Sequence, residues 1–122
     1  MAKNLEISLL MDFYGEMLTE KQREVIDYYY NDDLSLGEIA ANEGITRQGV
    51  RDSIKRAEFQ LLEMEERLGL AKRFREIQGG LEQIMESAHR IKEYNSQFIY
   101  SREIAEEIQR ITDIAQKLDD ED

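Results

Sequence analysis

Proline, cysteine and tryptophan are all absent from the 122 residues. Without proline, no helix is obliged to kink or stop at a missing amide. Without cysteine there is neither a disulfide nor a thiolate metal site, and a reducing compartment is the natural setting. Long apolar runs are missing too: none approaches the roughly 20 residues of a membrane span. The first residues, MAKNLEISLLMDFYGE, lack the apolar core and small-residue cleavage site of a signal peptide. A soluble, cytoplasmic chain without membrane contact is expected. What remains is rich in Glu, Leu, Ile, Lys, Arg and Gln, all tolerant of helix, so the expected fold class is all-α. The length suits one domain, or a small domain with a helical extension.

Positive charge is also scarce, with 16 Lys and Arg against 27 Asp and Glu for a net charge of -11. Such a chain is repelled by nucleic acid on average, so the distribution decides. Between Thr46 and Arg56, Arg47, Arg51, Lys55 and Arg56 face only Asp52, a local excess of three positive charges. A locally basic helix on an acidic body predicts modest, salt-sensitive binding that depends on orientation.

The chain opens with Leu5, Leu9 and Phe13 at helical spacing, widened by Ile7, Leu10, Met11 and Tyr14, and Gly15 is placed to end this helix. Thr19 and Gln22 form a capping box for a second helix with Val25, Ile26 and Tyr29 inward and Tyr28 and Tyr30 flanking. The tyrosine run has helical spacing and no interleaved basic patch, which favours packing over base stacking. Asn31 to Asp33 make a turn. Ser35 and Glu38 form a second capping box; Leu36, Ile39 and Ala40 face inward. Gly44 supplies a left-handed turn, Ile45 plugs it, and Thr46 caps the next helix.

From Val50 the apolar register runs through Ile54, Ala57, Leu61 and Met64 to Leu68 in alternating steps of four and three, then skips at Gly69. It resumes from Leu70 through Phe74, Ile77, Leu81, Ile84 and Ala88 to Ile91. A last helix carries Ile104, Ile108, Ile111, Ala115 and Leu118 behind a Ser101 cap, with Tyr94 to Tyr100 as the link. This spacing argues for helices packed along a seam, within one chain or between two. Gly79 and Gly80 interrupt it at roughly 1 kcal/mol each relative to alanine, marking a bend or a close approach by another helix.

Residues 1–68 are therefore expected to form a helix-turn-helix domain of winged-helix-like type, and residues 69–122 a packing or dimerisation arm with an acidic tail. In such a motif the N-terminal part of the second helix reaches base edges. Arg47 and Arg51 suit guanine, Gln48 adenine and Asp52 a cytosine amino group. Ser35, Thr46, Lys55 and Arg56 suit phosphate. Leu81, Ile84, Ile91, Ile104, Ile108 and Ile111 are the candidates for pairing two chains into a homodimer, since two modules are needed to read paired half-sites. Duplex DNA is the expected partner; a protein-docking use of the same scaffold, or binding to structured RNA, is the alternative. No cofactor or enzymatic activity is expected: His89, flanked by Glu86 and Glu93, makes a poor zinc site, and Gly79-Gly80 lacks the context of a phosphate loop.

The stretch TEKQREVIDYYYNDDLSLGEIAANEGITRQGVRDSIKRAEFQL resembles the region-four domain of bacterial sigma factors, in which a helix-turn-helix reads promoter DNA. LLMDFYGEMLTEKQREVIDYYYNDDLSLGEIA, ITRQGV and IKRAE resemble typical segments of the YlxM family of helix-turn-helix proteins, over about the first 70 residues. That resemblance implies a bacterial regulatory protein. It also implies, through gene neighbourhood, a link to the signal recognition particle pathway, with a partner there or in the transcription machinery. The chain departs from the family at Gly49, where relatives carry Ala, and at Arg51, where the residue type varies.

Overall fold

The computed structural model describes residues 1–98 and 100–120. Ile99 of the expected link, and Glu121 and Asp122 of the acidic tail, lie outside the described residues. The chain falls into two compact units, Met1–Lys72 and Arg73–Asp122. Among the described residues every element is helical, so no strand exists to form a wing, and the winged-helix expectation is corrected to a purely α-helical one.

The first unit holds α1 (Glu6–Tyr14), a 3-10 turn (Gly15–Met17), α2 (Glu20–Tyr30), α3 (Leu36–Glu43), α4 (Arg47–Leu68) and the first residues of α5 (Leu70–Gln97). Its centre is α4, against which α1, α2 and α3 all pack. Val50, Ile54, Ala57 and Leu61 form the fully buried edge of α4, in the expected register, while Leu68 at its end is 62 % exposed. They meet Ile7, Leu10 and Tyr14 of α1, Val25, Ile26 and Tyr29 of α2, and Ile39 and Ala40 of α3.

Both capping boxes form. The Thr19 hydroxyl oxygen accepts from the Gln22 amide at 3.2 Å and the Gln22 side chain accepts from the Thr19 amide at 3.1 Å. Ser35 and Glu38 do the same at 3.1 Å in both directions. Each pair satisfies two of the donors that a helix start leaves open. Two details of α1 differ from expectation. The helix begins only at Glu6, so Leu5 becomes its cap and stands 85 % exposed, and the buried stripe is Ile7, Leu10 and Tyr14. Gly15 keeps an ordinary φ of -55° and tightens into the 3-10 turn, so no left-handed glycine ends α1.

In the second unit, α5 is followed by α6 (Arg102–Asp120). Tyr94 still belongs to α5, which shortens the expected link from its N-terminal side. The corner is closed by Asn95, a buried polar side chain: its Nδ2 donates to the Ser101 carbonyl and its Oδ1 accepts from the Ser101 amide, both at 2.9 Å. Ser101 then caps α6 by accepting from the Ile104 amide at 3.3 Å. Helix α6 runs back antiparallel along α5. Leu118 lines a groove with Ile77 and Leu81, Ile111 one with Ile84 and Ile91, and Ala105 one with Asn95. Ala88, Ile108 and Ala115 are buried along this hairpin.

Candidate nucleic-acid interface

The turn between α3 and α4 is built by Gly44, whose φ of 67° and ψ of 33° are left-handed values that cost a residue with a Cβ. Its amide bonds the Ala40 carbonyl and closes α3. Thr46 opens α4, its hydroxyl oxygen accepting from the Gly49 amide at 3.0 Å. A Cβ on Gly49 would lie 3.2 Å from that hydroxyl oxygen, so the glycine accommodates a tight cap. Ile45 is 46 % exposed and only partly plugs the turn.

Burial of Val50, Ile54 and Ala57 turns Arg47, Gln48, Arg51, Asp52, Lys55 and Arg56 to solvent, with Ser35 and Thr46 exposed at the two helix starts. Two of these side chains have specific positions that spacing alone did not reveal. The Arg47 guanidinium rests on Gly37 in the first turn of α3; a Cβ there would stand 3.1 Å from its Nε. Gln48 is tied to Asp52, donating from Nε2 to Oδ1 at 2.9 Å one turn along α4. The Ser35 and Thr46 oxygens both serve as helix caps, which leaves each hydroxyl proton to donate outward.

Two of the acidic residues near this surface are held by partners from α2. Glu43, with its side chain only 6 % exposed, accepts from Lys21 at 3.0 Å, and this hydrogen bond holds the Lys21 ammonium above its ordinary value. Glu58 accepts from the Tyr30 hydroxyl at 2.8 Å. Burial pushes Tyr30 up to about 12, with Glu58 adding to the shift, so the phenol stays protonated and keeps its donor. Tyr28 bonds Glu24 in turn, and the Tyr29 hydroxyl donates to the Met1 carbonyl. The tyrosine run therefore packs, ties down the N-terminal segment and holds two carboxylates.

The expected pairing residues divide in the second unit. Ile84, Ile91, Ile104 and Ile111 are 43 % to 49 % exposed, whereas Ile108 is 5 % exposed and already covered within its own chain. Leu81 is half-buried. His89 is exposed, beside Lys92 and Glu93 in the groove they share.

Sequence reasoning missed Glu65, which organises the end of the first unit. Its Oε1 accepts from the Tyr14 hydroxyl at 2.7 Å and the Ala71 amide at 3.0 Å, and its Oε2 accepts from the Lys72 amide at 3.0 Å. The Leu70 amide donates to the Tyr14 oxygen at 3.1 Å. Burial raises the Tyr14 pKa and the bond to Glu65 adds to it. A left-handed Gly69 with φ of 63° turns the chain so that this carboxylate meets the start of α5.

A glycine-turned α3–α4 pair supported by α1 and α2, with a solvent-facing basic α4 start, defines a small all-α helix-turn-helix protein. Comparison with known proteins narrows the class. The family described as "Putative helix-turn-helix protein, YlxM / p13 like" matches residues 1–100, and the chain belongs to that family. It is similar to the UPF0122 protein of Thermoanaerobacter sp. (strain X514), 51 % identical over 89 residues covering 73 % of this chain and 76 % of that one. It is also similar to the UPF0122 protein of Acetivibrio thermocellus, 54 % identical over 74 residues. There the match spans 61 % of this chain and 63 % of the relative, just under two thirds of its length.

Proposed function

We propose that this chain is a cytoplasmic regulatory protein that binds duplex DNA through the α3–α4 helix-turn-helix. The observation that carries the reading is the handling of acid around α4. Glu43 and Glu58, which flank the basic face, are engaged by Lys21 and Tyr30, and Asp52, exposed on the face itself, is bonded by Gln48, while Arg47, Arg51, Lys55 and Arg56 remain exposed. Arg51 and Gln48 are assigned to base edges, with Asp52 steering Gln48. Arg47, perched on the start of α3, serves beside Ser35 as a phosphate contact in addition to its expected base contact, and Thr46, Lys55 and Arg56 complete the backbone grip.

The test is fluorescence anisotropy of duplex DNA across a salt series. Three phosphate-contacting cations, Arg47, Lys55 and Arg56, predict a slope of log K against log salt of about -2.7, and loss of Arg47 should bring it near -1.8. Salt-independent binding, or a slope unchanged by Arg47→Ala with Arg51→Ala, overturns the groove-reading mechanism.

A second reading has its own observation. Phe59 and Leu62, 65 % and 39 % exposed, continue the Lys55 side of α4 as an apolar flank. This favours an added protein contact, in the transcription machinery or the signal recognition particle pathway to which the family resemblance points. A binding assay with those components, in which Phe59→Ser abolishes the interaction and spares DNA affinity, separates the two.

A further inference from the structure

The α5–α6 hairpin has one face that its own chain does not cover. At 100° per residue, with buried Ala88 taken as facing α6, Ile77, Ile84 and Ile91 lie about 20° to 60° to one side of α5. On α6, counted from buried Ile108, Ile104, Ile111 and Leu118 lie about 40° to 80° to the same rotational side. In an antiparallel pair, equal rotational sense puts both rows on one face. The grooves agree: Ile84, Ala88, Ile91 and Ile111 share an apolar groove of about 390 Å³ with Gly80 and Ser87. The opposite face carries a separate groove lined by His89, Lys92, Glu93, Ser96, Tyr100 and Ala105.

We infer that this face is covered by the same face of a second copy of the chain, giving an antiparallel four-helix bundle. The six aliphatic side chains are each 43 % to 51 % exposed. Together they leave on the order of 500 Å² of apolar surface open, near the upper end of what a monomer carries. Tyr94, 58 % exposed at the edge of the same face, takes it closer to the roughly 800 Å² per partner of a stable interface. Charge selects the arrangement. Between Arg73 and Gln97, α5 has four basic and four acidic residues, whereas α6 has three basic and six acidic. A two-fold axis parallel to the helices lays each α5 on the other copy's α6; the other stacking apposes two acidic helices.

The chosen arrangement also gives Gly80 a purpose. It sits inside a helix, where glycine is unfavourable, yet a Cβ on it would meet nothing within 4 Å of its own chain. In the bundle Gly80 and Ser87 face α6 of the second copy, where Ile114, 51 % exposed, fills the gap between them. Arg90, which donates to Ser87 Oγ at 3.2 Å, comes level with Glu107 of the second copy. The inference rests on the hairpin face alone, so it stands or falls independently of DNA reading.

Light scattering coupled to size exclusion on the full chain, without DNA, is the test. Twice the 14.4 kDa chain mass is expected at micromolar concentration. The Cβ of Gly80→Leu meets nothing in the monomer and leucine has the better helix propensity, so the variant should raise the melting temperature of the monomer while weakening association at least tenfold. Ile84→Asp should give a monomer with unchanged helical circular dichroism. Arg90→Glu and Glu107→Arg should each weaken association, and the pair together should restore it. A monomer at every concentration, including one that is captured only by a different protein, overturns the inference. So does a dimer indifferent to both Gly80→Leu and Ile84→Asp, or an assembly larger than two.

Discussion

Glu65→Ala should unfasten the end of the first unit. The carboxylate accepts two of the amides that open α5, those of Ala71 and Lys72, and also takes the Tyr14 hydroxyl proton. Losing an acceptor that caps a helix start costs about 0.5–2 kcal/mol, and losing a negative charge there costs a further ~0.3–1 kcal/mol. The Tyr14 hydroxyl, on a side chain only 2 % exposed, loses its acceptor at a cost of about 1 kcal/mol. The whole comes to about 2–4 kcal/mol, or a fall of roughly 8–30 °C in melting temperature for a unit of this size. Tyr14→Phe removes only the hydroxyl and should cost about 1 kcal/mol. The double variant should lose less than the sum, because both substitutions break the same bond. Urea titration followed by circular dichroism measures the energies, and amide exchange at Ala71 and Lys72 reads the helix start directly. Protection of those amides unchanged in Glu65→Ala, with stability within about 0.5 kcal/mol of the parent, would refute the reasoning.

Gly37→Ala should separate folding from binding: alanine inside α3 stabilises by up to about 1 kcal/mol, while its Cβ pushes the Arg47 guanidinium off its perch. Thermal melting should rise and DNA affinity at low salt fall severalfold; affinity that holds or rises removes Arg47 from that role. Tyr30→Phe should release Glu58 toward the basic face and weaken DNA binding. It should also remove a loss of stability that sets in as pH rises above the ordinary tyrosine range toward 12, where the folded state holds a proton the unfolded chain has given up; pH-dependent urea titration checks both protein forms. Lys3 holds the Asp33 carboxyl below its ordinary value through a hydrogen bond and its charge. The stability this confers is complete above the ordinary carboxylate range and is lost as pH falls through the lowered value. Lys3→Met should move the Asp33 midpoint up, as read by carboxyl chemical shifts; an unmoved midpoint counts against the pair.

The helical elements of the first unit were legible because short-range chemistry specifies them. Thr19-Gln22 and Ser35-Glu38 each cap by contacts three residues apart, and Gly44 and Gly69 stand where only a left-handed residue turns the chain. The register from Val50 to Leu61 is a consequence of 3.6-residue periodicity, and each of those side chains is fully buried. Contacts between distant residues left no such trace. Tyr14 with Glu65, Tyr30 with Glu58 and Lys21 with Glu43 join residues 51, 28 and 22 apart, and nothing in local spacing selects one glutamate among many. Leu5 shows the same limit: four-residue spacing groups it with Leu9 and Phe13, but the face that is buried carries Ile7, Leu10 and Tyr14, and Leu5 lies opposite it. The candidate DNA-facing residues were named by their place in the motif and their chemistry, while the position of Arg47 depends on the absence of a side chain at Gly37.

Those distant pairs explain how a chain of net charge -11 can present a usable cationic face. At physiological ionic strength charges act over about 8 Å, so the carboxylates nearest the motif matter most to its local potential. Glu43 and Glu58 are the carboxylates beside the motif, and each is engaged by a donor from α2, Lys21 or Tyr30. Helix α2 thus has two tasks, supplying Val25, Ile26 and Tyr29 to the core and controlling the local potential of the helix it supports. Asp52 is the exception, an exposed acid on the basic face itself, and its bond from Gln48 fixes the orientation of that amide. Where a DNA-binding protein with an excess of lysine gains affinity from its whole surface, the proposed function would rest here on a few short-range contacts, and selectivity for a correctly docked orientation would follow from that dependence.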